Sequence, residues 1–125
     1  KRQIQYSPEW LIETFPDFEN GYEMTKKIIQ YKPDAIVTIN DFLAMGVIKA
    51  LKDMNIVVPD EISVAGYDDL FFVSLIETPL TTVRQPIDEI CKKTFEILVD
   101  KIAGKEVSDK TLYLEPVLEI RKSTI

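Results

Sequence analysis

The sequence predicts an α/β fold: a parallel sheet with helices on both faces, in three layers. Three observations predict it. Two short β-rich runs, Ala35 to Ile39 and Ile62 to Gly66, flank a segment of helical period, Phe42 to Met54. A third β-rich stretch, Leu80 to Val83, leads into a longer helical segment from Pro86 to Ala103. Strands that alternate with helices of this length join in parallel through right-handed crossovers.

Each element has its own justification. From Asn20 to Tyr31 the apolar Tyr22, Ile28 and Ile29 recur at near-helical spacing, and Asp17 or Asn20 is placed to cap the start. Pro33-Asp34 breaks that helix, and the β-rich run Ala35 to Ile39 after it, which lacks alternation, reads as a strand covered on both faces. In the next helix Phe42, Val47, Ile48, Leu51 and Met54 share a face, with Asn40 or Asp41 positioned to accept the free first-turn amides. Pro86 stands at the first position of the third helix, whose apolar face is Ile87, Ile90, Cys91, Phe95, Leu98 and Ile102, and Gly104 stops it. Leu112 to Ile120 is extended, but Pro116 lacks an amide hydrogen, which places it at a sheet edge or at a crossing between sheets.

Composition excludes several function classes. The 125 residues are 46% hydrophobic and 29% charged, with four Gly and seven Pro, so the chain is globular and neither disordered nor repetitive. Fifteen Lys and Arg against 21 Asp and Glu give a net charge of -6, the wrong sign for drawing in phosphate backbones or an anionic membrane. Without histidine there is no Ser-His-Asp or Cys-His nucleophile and no imidazole metal site. The single Cys91 cannot form an internal disulfide, which suits a reducing compartment, so a cytoplasmic location is expected. No apolar run approaches the ~18 residues that span a bilayer. The opening residue is Lys, not Met, so the chain is expected to be part of something longer.

The candidate site follows from the fold class. In open parallel sheets ligands bind beyond the carboxyl ends of the strands, and Asn40 and Asp68 each fall just after one. An amide that donates and accepts, beside a carboxylate that accepts from two hydroxyls, suits a sugar, a nucleoside or a purine. Taken singly, Asn40 also reads as a helix cap and Asp68 as a turn residue. Asp41, Asp68 and Asp69 are too few carboxylates at defined spacing for a metal, and no acid and base pair stands out. The glycines Gly21, Gly46, Gly66 and Gly104 are too dispersed for a phosphate-cradling loop, so no cofactor is expected.

Longer stretches carry a family resemblance. Pro33-Asp34-Ala35-Ile36-Val37-Thr38-Ile39-Asn40-Asp41, with Ala44-Met45-Gly46-Val47 and Ala50-Leu51, resembles the LacI/GalR family of bacterial transcriptional repressors. So do Val58-Pro59-Asp60-Glu61-Ile62-Ser63-Val64-Ala65-Gly66-Tyr67-Asp68-Asp69, Thr78-Pro79-Leu80-Thr81-Thr82-Val83-Arg84-Gln85-Pro86 and the closing Leu118-Glu119-Ile120-Arg121-Lys122-Ser123-Thr124.

The resemblance implies an effector-binding domain of the periplasmic-binding-protein type I kind, with two α/β lobes and the ligand between them. Residues 1–83 and 117–125 would form part of the C-terminal lobe, and 84–116 would supply crossing segments and a helix of the other. The helix-turn-helix, the hinge helix and the front half of the effector domain would precede Lys1, so operator DNA would be bound only through those segments. By the same resemblance Asn40, Asp68 and Gln85 would contact the effector, a sugar or purine, and Phe15 or Phe18 would supply the aromatic that stacks on it. A core or staple aromatic is the alternative for both phenylalanines. Met45 and Lys49, with Leu70, Phe71 and Ile76, would form a two-fold homodimer contact, whereas without the resemblance Met45, Leu70, Phe71, Phe72 and Ile76 read as this lobe's own core. The expected function is therefore effector sensing without enzymatic activity. A sugar-binding receptor of a transport system shares the fold, and a phosphoacceptor receiver domain shares the layers, although its acidic pair belongs at the first strand while Asp68-Asp69 come late.

Overall fold

A computed structural model describes residues 7–107 and 111–125. A 3₁₀ turn at Pro8–Trp10 leads to α1 (Phe18–Ile28), β1 (Ala35–Val37), α2 (Asp41–Asp53) and β2 (Ser63–Ala65). There follow a 3₁₀ turn at Phe71–Ser74, β3 (Thr82–Arg84), α3 (Ile87–Ile102) and β4 (Val117–Glu119).

Local chemistry sets the helix limits. The Asp17 side chain caps α1 by accepting from the Asn20 amide at 2.8 Å, and Asn40 caps α2 by accepting from the Leu43 amide at 2.9 Å. At the far end of α2, Asn55 takes the left-handed conformation (φ 59°), and the Ile56 and Asn55 amides donate back to Leu51 and Lys52 carbonyls. That is a Schellman termination, with asparagine in the place glycine usually fills. Gly104 (φ 71°) ends α3 in the same backbone region.

Helices α1 and α2 pack closely because glycines face each other's backbone. A Cβ at Gly21 would lie 2.3 Å from the Leu43 carbonyl oxygen, and one at Gly46 would lie 2.1 Å from that of Phe18. The core beneath joins Ala44, Val47 and Leu51 of α2 to Ile36 and Val64 of the strands and to Ile62, Val73 and Leu80.

Strands β1 and β2 pair in parallel, Ile36 opposite Val64, while β3 and β4 pair antiparallel, Val83 opposite Leu118. Parallel bridges from Ala65 to Thr81 and from Asp68 to Arg84 join the two pairs. Ser123 stitches the chain end into this junction: its carbonyl accepts from the Val64 amide, and its hydroxyl donates to the Val64 carbonyl and accepts from the Thr81 amide.

Three expectations need correction. The first strand ends at Val37, and its run is not covered on both faces: Ile36 is buried, but Val37 and Ile39 are 79% and 71% exposed. Their open side borders an apolar groove of about 400 Å³ that also has Leu11, Met24 and Ile28 in its walls. The third strand begins later than the apolar run suggests, because the Leu80 amide donates to the Val73 carbonyl before pairing starts. Of the extended segment from Leu112, only Val117–Glu119 is strand, and Pro116 stands just outside it, at the position a missing amide tolerates. Among the described residues, no helix is long and apolar enough to cross a membrane.

Candidate functional site

Asn40 lies three residues beyond the end of β1, Asp68 three beyond β2, and Gln85 directly follows β3. Parallel pairing and the two bridges put all three on one rim. The Gln85 side-chain amide donates to Asp68 Oδ1 at 2.7 Å. Asp68 Oδ2 has no hydrogen-bond partner among the described residues, so the carboxylate keeps an acceptor for a ligand hydroxyl or N–H. Asn40 does two structural jobs at once: beyond capping α2, its Nδ2 donates to the Pro16 carbonyl at 2.9 Å. The amide still holds one hydrogen and one lone pair for a ligand.

The turn presenting Asp68 is conformationally costly. Asp68 (φ 115°) and Asp69 (φ 56°) both occupy the positive-φ region, where non-glycine residues are uncommon, at roughly 1–3 kcal/mol each. Neighbouring groups hold the turn in place. The Asp68 amide donates to the Val83 carbonyl, and the Asp69 carboxylate accepts from Arg84 Nε at 2.6 Å and from an Arg121 guanidinium nitrogen at 2.5 Å. Arg84 also pairs with Glu119 at 3.1 Å. Burial pushes the Asp69 carboxyl up, but the hydrogen bonds from Arg121 and Arg84 outweigh it and hold the group below its usual range.

The structure separates the two candidate aromatics. Phe15 is 77% exposed, and the Pro16 carbonyl that follows it is the one Asn40 holds, so Phe15 stands beside the rim. Phe18 opens α1 and lines a different groove, together with Met45, Lys49 and Ile76. Leu70 is half-buried against the core, as are Met45, Phe72 and Ile76. Phe71 is 83% exposed, with its ring edge-on to Phe72 at 5.2 Å. Met45, Lys49 and Ile76 therefore share one groove, while Leu70 and Phe71 lie outside its lining, on the connection after β2.

Sequence reading missed two features. Asp41, taken there as a possible cap, is fully buried, and its carboxylate accepts from the Thr82 hydroxyl at 2.6 Å and from the Leu70 amide at 2.8 Å. Burial pushes its carboxyl above the usual range, and those two hydrogen bonds offset only part of the effect. Asp69, counted there only among carboxylates too few for a metal, is paired with two arginines. Nothing local signals either role, since the partners are 15 to 52 residues away. Among the described residues, no group of three or more His, Cys, Asp or Glu is placed to hold a metal ion.

The fold that carries this rim has known counterparts. Residues 1–124 match the model of the periplasmic binding protein-like domain, and the chain belongs to that family. Within it the likeness is to LacI-type regulators, as the motifs implied. The chain is 36% identical over 122 residues to the transcriptional repressor PurR of Histophilus somni, covering 96% of this chain and 37% of that protein. It is 34% identical over 109 residues to the ribose operon repressor of Escherichia coli K12, covering 86% and 33% respectively. A regulatory protein of the LacI family from Chloroflexus aggregans superimposes with a TM-score of 0.89 at 31% identity, over 97% of this chain and 44% of that one. The chain thus spans about a third of the length of the curated relatives it matches.

Proposed function

We propose that this chain is the effector-sensing part of a LacI-type transcriptional regulator, working in the cytoplasm by binding rather than by chemistry. Asn40, Asp68 and Gln85 hold a small polar effector, a sugar or a purine, and Phe15 supplies the stacking face. The observation that carries this is Asp68: a carboxylate on a costly backbone conformation just after a strand, oriented by Gln85, whose other oxygen has no hydrogen-bond partner among the described residues. The names of the relatives support the same reading, since they are repressors and one is the repressor of a ribose operon.

Residues 1–83 and 117–125 belong to one lobe, and 84–116 belong to the other. The pairing of β3 with β4 as two strands that leave and re-enter supports this division, and so does the absence of any buried residue in α3. Effector occupancy shifts an equilibrium between two lobe arrangements, and that shift sets the geometry of DNA-binding segments outside this chain. The groove containing Met45, Lys49 and Ile76, together with Leu70 and Phe71, forms a homodimer contact. Sedimentation of the full-length regulator should show a dimer that Met45→Glu weakens.

Calorimetric titration of the full-length regulator with D-ribose, D-glucose, adenine and guanine tests the site. One of these should bind, and Asn40→Ala and Asp68→Ala should each weaken it by about 1–3 kcal/mol, the usual cost of a lost buried partner. Unchanged affinity in both variants would remove these residues from the site.

A further inference from the structure

We propose that Asp41 is a positioning residue for effector binding, a buried carboxylate that sets the spacing of Asn40, Asp68 and Gln85. The inference rests on the reading of those three residues given above.

A carboxylate with no exposed surface needs a reason, because taking a charge out of water costs several kcal/mol. Capping is not the reason, since Asn40 already accepts the first-turn amide of α2. What Asp41 does is join three segments. It is the first residue of α2, directly after Asn40; its Oδ2 accepts from the amide of Leu70, two residues after Asp68; and its Oδ1 accepts from the hydroxyl of Thr82, three residues before Gln85. Every anchor of this carboxylate is therefore within three residues of one side chain on the rim.

The arrangement also locks the turn that presents Asp68. Upstream, the Asp68 amide is held by the Val83 carbonyl; downstream, the Leu70 amide is held by Asp41. The Thr82 hydroxyl that donates to Asp41 accepts in turn from the Asp69 amide at 3.4 Å. The two positive-φ residues lie between these fixed points. Gly66 leaves the room required, since a Cβ there would fall 2.4 Å from Asp41 Oδ1. None of these groups touches the rim's free acceptor, so Asp41 acts on the ligand only through the residues it spaces.

The test uses the full-length regulator and the probe among D-ribose, D-glucose, adenine and guanine that the wild type binds. Asp41→Ala, and Thr82→Val as the milder variant that removes one arm alone, should each weaken binding about tenfold, the scale of one unsatisfied buried group. Asp41→Asn should stay within about threefold of wild type, because it keeps an oxygen for the Leu70 amide and can donate to the Thr82 hydroxyl. In an Asp68→Ala background Thr82→Val should cost clearly less than it does alone, since one of the three side chains being positioned is gone. Val47→Ala, a core change away from these hydrogen bonds, should lower the melting temperature and leave affinity unchanged.

Wild-type affinity in Asp41→Ala and Thr82→Val, with Asn40→Ala and Asp68→Ala weakened, overturns this inference and leaves the site reading standing. Full additivity in the Asp68→Ala background, or equal losses in Asp41→Asn and Asp41→Ala, overturns it too. A wild type that binds none of the probes, or silent Asn40→Ala and Asp68→Ala variants, overturns the site reading and this inference with it.

Discussion

Helices α2 and α3 have similar amphipathic sequences and opposite fates. Seven residues of α2 are buried, among them Leu43, Val47 and Leu51; no residue of α3 is, and Phe95, Leu98 and Ile102 are 67%, 53% and 78% exposed. Helical period announces that a face wants a partner, but it cannot say whether the same chain carries that partner. For α2 the partner is the strand pair and α1, all within this chain. For α3 the described residues supply none.

The sharpest way to break the comparison is to truncate one residue on each helix. Leu51→Ala should cost about 2–5 kcal/mol in chemical denaturation, the range for emptying a fully buried leucine site. Leu98→Ala should change stability by about 0.5 kcal/mol or less. A comparable loss at both positions would mean that α3 packs in solution against a surface of this chain or of another copy.

The helix starts give a smaller contrast. Asn40→Ala should cost about 1 kcal/mol of stability, since it removes the α2 cap and the tether to Pro16. Asp68→Ala, whose side chain accepts only from Gln85 among the described residues, should cost less. Thermal denaturation of the two variants side by side checks the ranking, and the reverse order would show Asp68 to be the structural residue of the pair.

The smallest effects concern pH, where the buried and the paired carboxylate differ in sign. Asp69 titrates below its ordinary value, so its contribution is complete above the unfolded value and is lost as pH falls through the folded one. Asp69→Asn should therefore flatten the acid limb of a stability profile. Asp41 titrates above its ordinary value, so its folded state holds the proton longer and stability declines as pH rises between the unfolded and folded values. Asp41→Asn should remove that decline, and denaturation midpoints measured across mildly acidic pH would show both slopes.

Hydrogen exchange would sharpen the same comparison without mutation. Amides in the middle of α2 should be among the slowest of the chain, and those of α3 should exchange through local opening at much lower free energy. Equal protection in the two helices would contradict the exposed placement of α3.

What the sequence determined by itself is local or periodic in nature. A polar cap at each of the first two helix starts, the stop at Gly104 and the β-rich runs follow from side-chain chemistry within a few residues, as does the motif likeness, and the rim position of Asn40 and Asp68 follows from the fold class those elements define. Tertiary structure alone decided the rest. That Val37 and Ile39 are open, that α3 is uncovered, that Asn40 is tied to the Pro16 carbonyl while Phe18 lines a different groove, and that Asp41 is a buried joint and not a cap all depend on contacts between distant segments. The physical reason is that burial and hydrogen-bond satisfaction belong to the assembled surface. An aspartate at a helix start looks the same in sequence whether it faces water or receives a hydroxyl from a residue 41 positions later.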